Sequence, residues 1–260
     1  MAVGLLPPDL LLPVKGVKLA SCYCGIKANS DKHDLVLMAI DTSASVAAVF
    51  TTNKFCAAPV SLAKKHLQQQ QTIQYLLINS GNANAGTGAQ GLANTIASCQ
   101  CVAQVAGVDE AGVLPFSTGV IGAQLPIGVI NDAIPDLFKQ LSSPSTVDNW
   151  SAAARGIMTT DTVPKAVSRQ LSINGQIVTI TGMCKGSGMI KPDMATMLGY
   201  VATDAMIERD ALQQCLDQVV KKSFNAITVD GDTSTNDACV LIATGASQVR
   251  VDAQHEAFMQ

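Results

Sequence analysis

Aromatic side chains are scarce in this chain: one Trp, three Tyr and six Phe, 4% of its 260 residues. Large rings are therefore a minor part of any core. The interior falls to Ala, Val, Gly, Thr and Ser, which suit closely packed layers of strands and helices. Charge is thin as well, with 14% Asp, Glu, Lys and Arg against 48% apolar residues. That balance excludes a disordered chain, which lacks the apolar surface to offset its conformational entropy. The formal net charge is −3, and the sequence has no basic stripe, so nucleic acid is not an expected partner. No stretch approaches the roughly 20 apolar residues needed to span a bilayer, so no membrane is expected either. The apolar start, Met1 to Val14, is interrupted by Pro7, Pro8 and Pro13. It has neither the basic leader nor the cleavage site of an export signal, and a cytoplasmic protein is expected.

Only three histidines occur, His33, His66 and His255. The eight cysteines include two C-x-C pairs, Cys22/Cys24 and Cys99/Cys101. This spacing is tighter than the C-x2-C of structural zinc sites. With no export signal, free thiols acting as small apolar residues are the better reading, and neither metal nor cofactor is expected. Asp230, Asp232 and Asp237 suggest a calcium loop, but position twelve, counted from Asp230, is Leu241 instead of Glu. A tight acidic loop between a helix and a strand is expected there.

The length suits one large domain or two small ones, and a single domain is read here. Apolar, β-branched runs predict strands over 34–40, 44–51, 73–79, 176–181, 197–203 and 238–243. Helical spacing predicts helices over 91–105 and 207–222, the second with early acidic and late basic residues, as the helix dipole favours. Asn174-Gly175 predicts a hairpin turn. Strands and helices interleave, giving an α/β or α+β class. The Ser- and Pro-rich stretch 141–149 reads as an exposed connection.

Two glycine-rich segments stand out. Asn79-Ser-Gly-Asn-Ala-Asn-Ala-Gly-Thr-Gly88 follows a strand and precedes a helix. It fits either an anion site of backbone N–H groups or a tight connection with polar self-capping. It matches neither G-x-G-x-x-G nor a P-loop. The second segment, Lys185-Gly-Ser-Gly-Met-Ile-Lys-Pro-Asp-Met-Ala-Thr-Met-Leu198, runs into a strand. On residue type alone its Thr196 is a strand residue.

The second segment resembles the cleavage segment of the ornithine acetyltransferase family of arginine biosynthesis. Further stretches are similar in the family's order: Phe50 to Lys54 with Ala57 to Val60, Asn79 to Gly88, Ser117 to Gly122, Met158 to Lys165 and Val229 to Asp237. The resemblance covers about Gly16 to about Gly245. It implies a layered αββα sandwich that cuts itself between Ala195 and Thr196, into residues 1–195 and 196–260. It also implies a ping-pong transfer in which Thr196 takes the acetyl group of N-acetylornithine and passes it to glutamate. The implied oxyanion donors are Thr118 and Gly119. The implied substrate-binding positions are Thr159 (with Thr160 the neighbouring alternative), Lys185 and Thr196. Acetyl-CoA is a further acetyl donor to be considered, and a heterotetramer of two α and two β chains is implied. Proteins of this family run longer. A glutamate of the substrate site and a C-terminal segment contributing Asn and Thr contacts would lie outside these residues. A self-cleaving amidohydrolase or aminopeptidase shares the nucleophile and is the competing reaction. A folding unit without activity is the competing non-enzymatic reading.

Overall fold

The computed structural model describes residues 6, 8, 10–29, 31–69, 72–143, 146–191 and 197–252. Among these, nine strands and five α-helices are interspersed along the chain. The strands are β1 (Val17–Cys22), β2 (Leu35–Ile40), β3 (Ser45–Phe50), β4 (Tyr75–Asn82), β5 (Val113–Val120), β6 (Lys165–Ile173), β7 (Gln176–Lys185), β8 (Leu198–Thr203) and β9 (Ala238–Ala243). The helices are α1 (Ala58–Gln69), α2 (Gly88–Ala106), α3 (Ile127–Leu141), α4 (Val147–Gly156) and α5 (Arg209–Lys222).

The strands form two sheets, one ordered β1-β2-β4-β5 and the other β3-β9-β8-β7-β6. Alternation of side chains across each strand sorts the apolar residues into layers. Val36 and Met38 of β2 face the space between the sheets, where they join Tyr200, Val240 and Ile242 of the second sheet. Leu35 and Leu37 point the other way, into a cluster with Cys99 and Val102 of α2 and Ile130 and Ile134 of α3. In β9, Cys239 and Leu241 turn outward onto Leu212, Cys215 and Leu216 of α5. The order is helices, sheet, sheet, helix: the αββα sandwich. Trp150 of α4 is fully buried in the inter-sheet core, so this short helix closes one side of the sandwich.

Each strand expected from sequence is present, with β7 running on to Lys185 and β4 to Asn82. The turn joining β6 and β7 has Asn174 at φ 51° and Gly175 at φ 77°. Both angles are left-handed, as the tight hairpin type favoured by Asn-Gly requires. The stretch 141–149 needs correction: its end is helical, because α4 starts at Val147. The Asn149 side chain accepts from the Thr146 N–H and hydroxyl and donates to Leu19 O, anchoring the helix start on β1.

Candidate active site

The site lies where the C-terminal ends of β4, β5 and β7 meet the segment that enters β9. In the glycine-rich 79–88 segment the side chains satisfy one another. Asn84, at φ 47°, donates to Gly91 O and Thr95 Oγ, and Thr87 donates to Asn84 Oδ1. This is the self-capping arrangement, and it stiffens the step from β4 into α2.

Across the seam, Asn236 Nδ2 donates to Ala83 O at 2.6 Å and to Ser117 O at 2.9 Å. The loop ahead of β9 is thereby fastened to the backbone beside Thr118. Its next residue, Asp237, is 1% exposed and accepts the Met197 N–H at 2.7 Å. The acidic loop expected from sequence is therefore not uniform. Asp230 and Asp232 lie in an exposed turn, while Asp237 is part of the buried seam.

The structure brings together the described positions implied by the resemblance. Lys185, only 4% exposed, donates from Nζ to Thr118 Oγ at 3.2 Å. Gly119, Thr159 and Lys185 line one cavity of about 740 Å³. Thr159 N–H donates to Asp161 Oδ2 at 3.3 Å. Ala195 and Thr196 lie outside the described residues. Met197, the next residue in the chain, lines a second cavity of about 490 Å³, whose wall also contains Lys185, Gly186 and Ser187.

Gly119 sits at φ +137°, a region that side-chain-bearing residues rarely adopt. A Cβ there would meet Gly81 C at 2.3 Å and Asn82 N at 2.5 Å. The glycine is what lets the ends of β4 and β5 close up at the register shift between them.

Two residues of the site carried no assigned role in the sequence. Asp161, half-hidden in a Thr-rich motif, receives Lys165 Nζ and the Gly186 N–H on Oδ1. Burial alone would raise its carboxyl. The bonds from Lys165 and Gly186, with the charges of Lys185 and Lys165, hold it below its ordinary value. For Lys185 burial dominates and lowers the ammonium from the ordinary lysine range, while Asp161 and Asp237 oppose the shift. The Asp161–Lys165 spacing of four residues is the one sequence signal for this pairing; nothing local signals Asp237. Among the described residues, no three His, Cys, Asp or Glu side chains gather in a way that would hold a metal ion. His66 is buried, with Nδ1 on Val113 O, and stands apart from these residues. His33 bonds to Ser21 Oγ, and His255 lies outside the described residues.

The arrangement offers a buried cation touching a hydroxyl, a glycine that presents backbone closely, and cavities on either side. The model of the ArgJ family matches residues 18–260. The arginine biosynthesis bifunctional protein ArgJ of Pseudomonas syringae pv. tomato is 53% identical over 249 residues, 96% of this chain and 60% of that protein. The chain thus spans about 60% of the length of the curated relatives it matches. Among solved structures, the Bacillus halodurans arginine biosynthesis bifunctional protein is 35% identical, with a TM-score of 0.61 over 71% of this chain and 92% of that one. Ornithine acetyltransferase from Mycobacterium tuberculosis, solved with ornithine, is 31% identical, with a TM-score of 0.58 over 71% of this chain and 93% of that one. An aminopeptidase from Ochrobactrum anthropi with a variant of the Ntn hydrolase fold reaches a TM-score of 0.54 at 11% identity, over 99% of this chain and 79% of that one, a likeness of fold alone. Matched by its model over nearly the whole length and by relatives about half identical to it, the chain belongs to the ArgJ family.

Proposed function

We propose that this chain forms the nucleophile-bearing part of an acetyltransferase of arginine biosynthesis, which moves the acetyl group of N-acetylornithine to glutamate. The observation that carries the reading is the Lys185–Thr118 contact beside Gly119 and Thr159. An ammonium that donates to Thr118 Oγ leaves the hydroxyl hydrogen free to point elsewhere. Thr118 O–H and the Gly119 N–H are then the pair of donors for a tetrahedral oxyanion.

Thr196 is the nucleophile. Its hydroxyl attacks the preceding peptide carbonyl, and hydrolysis of the resulting ester splits the chain between Ala195 and Thr196. The freed α-amine has an ordinary pKa of about 7.7–8, so near neutral pH it serves as base to its own hydroxyl. Thr196 Oγ then attacks the acetyl carbonyl, the amide C–N bond breaks, and ornithine leaves carrying the proton. Glutamate's amine attacks the acetyl-threonine and leaves as N-acetylglutamate. Both substrates carry carboxylates, which Lys185 matches in charge, with Thr159 lining the same cavity. Acetyl-CoA as a second donor, an assembly of two α and two β chains, and a cytoplasmic setting complete the reading. The free thiols suit a reducing compartment.

A denaturing gel with intact mass tests the cleavage. Fragments of residues 1–195 and 196–260 are expected, and a Thr196→Ala chain that stays whole. A wild-type chain that also stays whole would overturn self-cleavage here. Incubation with N-acetylornithine and labelled glutamate, together with the remaining part of a full-length relative, tests the transfer. Labelled N-acetylglutamate is expected; acetate alone would make the protein a hydrolase.

A further inference from the structure

Beside the site lies a smaller hollow of about 240 Å³, whose walls include Lys27, Asp31, Lys32, His33, Arg155 and Thr159. It shares Lys27, Lys32 and Thr159 with the 740 Å³ cavity of the site. None of its three cations has a role in the transfer described above.

The carboxylates nearby are committed elsewhere. Asp34 is fully buried and spends both oxygens on backbone, accepting the N–H groups of Cys24, Ile26 and Lys27 at 2.7–2.9 Å. Asp161 is held by Lys165, Gly186 and Thr159. Asp161 also lines the hollow, but it is paired with Lys165, which leaves Asp31 as the wall carboxylate facing Lys27, Lys32 and Arg155. Lys27 Nζ is fixed by two neutral carbonyls, His33 O at 2.7 Å and Gly156 O at 3.4 Å. Two bonds use two of its three donors, and the third remains for a ligand. Burial, then the positive charges of Lys32 and Lys185, bring the Lys27 ammonium down to about 8 despite the opposing pull of Asp34 and Asp161. Lys32 and Arg155, which also line the hollow, are exposed.

We propose that this hollow is an anion site for the phosphate group of a ligand, held by Lys27, Lys32 and Arg155. With Asp161 balanced by Lys165, three cations against Asp31 leave an excess of positive charge suited to a group bearing two negative charges, more than one carboxylate supplies. Guanidinium and ammonium donors together fit tetrahedral oxygens. The volume falls below the roughly 300–1,000 Å³ of pockets that enclose a whole drug-sized molecule. A phosphate or diphosphate fits it, with any larger remainder lying along the shared wall toward Gly119 and Lys185.

Two sources carry this chemistry: inorganic phosphates, and the phosphate end of an acetyl donor whose other end reaches the transfer site. The second rests on the function proposed above; the first does not. Titration calorimetry with inorganic pyrophosphate at low salt is the first arm. Saturable binding is expected, weakened roughly tenfold or more in Lys32→Gln/Arg155→Gln, two exposed positions whose change leaves the melting temperature in place. Absence of binding up to millimolar pyrophosphate, or equal binding by the double variant, would overturn the site. The second arm compares donors in the assembled enzyme. A raised KM for acetyl-CoA with unchanged transfer from N-acetylornithine assigns the site to the donor's phosphates. Unchanged kinetics with both donors, alongside the pyrophosphate loss, assigns it to a free anion.

Discussion

Lys185 concentrates the chemistry of the site in one side chain, because it is a buried ammonium that touches the hydroxyl expected to face the oxyanion. Removing that hydroxyl in Thr118→Val is expected to lower kcat about a hundredfold to a thousandfold, the usual cost of one oxyanion donor, with little change in KM. Steady-state kinetics separates the two parameters, and a change in KM alone would assign Thr118 to binding. Gly119→Ala acts through the backbone: its Cβ would meet Gly81 C at 2.3 Å, so the two strand ends must part. Loss of activity with destabilisation of about 1–3 kcal/mol is expected, read from urea midpoints. The pH profile of kcat/KM tests the electrostatics. Activity should rise with the neutral form of the Thr196 amine and fall again as Lys185 loses its proton, below the ordinary lysine pKa. Asp161 raises the Lys185 pKa. Asp161→Asn should therefore move the alkaline limb to lower pH; an unmoved limb would show that another group sets it. These positions differ in how far the sequence announced them. Thr118, Gly119, Thr159 and Lys185 sit in short ordered motifs and were singled out by resemblance. Asp161 and Asp237 look like ordinary acidic turn residues, because what buries them comes from distant parts of the chain: Gly186 for one, Met197 for the other.

The elements that sequence patterning captured are those whose periodicity is local. The strand runs and α5 carry uninterrupted apolar spacing, and the β6–β7 turn carries its own Asn-Gly signal. Apart from β1 (Val17–Cys22), which has no breaker, several of those that it missed carry breakers that the fold tolerates. β5 contains Pro115 but lies at the edge of its sheet, where a missing N–H is affordable. α1 has Pro59 in its first turn, where no intrahelical donor is lost. α3 holds Pro135 inside, yet Ile130, Ile134, Leu137 and Leu141 still form a buried stripe at helical spacing. α4 hides behind a Ser- and Pro-rich lead, and its start depends on Asn149 bonding both Thr146 and the carbonyl of Leu19 on β1. Asn149→Ala removes a helix cap and a tie between layers in one step. A loss of about 1–2 kcal/mol in chemical denaturation is expected. A loss of a few tenths would mean that the packing of Trp150, fully buried in the next position, holds α4 without its cap.

At the scale of the whole molecule, the proposed cut falls just ahead of a central strand. β8 lies between β9 and β7 in its sheet, pairing antiparallel with β7 through Lys185 and Leu198 and parallel with β9 through Leu198 and Ala238. β9 in turn pairs with β3. A chain divided before Thr196 therefore assigns β8, α5 and β9 to one piece, and β3, β6, β7 and the whole of the other sheet to its partner. The shared core crosses the same boundary. Tyr200 of β8 meets Phe116 of β5 edge-on at 5.3 Å, and Leu198 packs with Met183 and Trp150 in one inter-sheet cluster. Neither piece buries its apolar faces alone, and the free edges left by separation are unpaired strands. The two fragments should accordingly co-elute on native gel filtration after cleavage and separate only in denaturant, with one cooperative melting transition for the pair. Fragments that part in native buffer would overturn this expectation, since the described residues of each piece would then leave that core exposed.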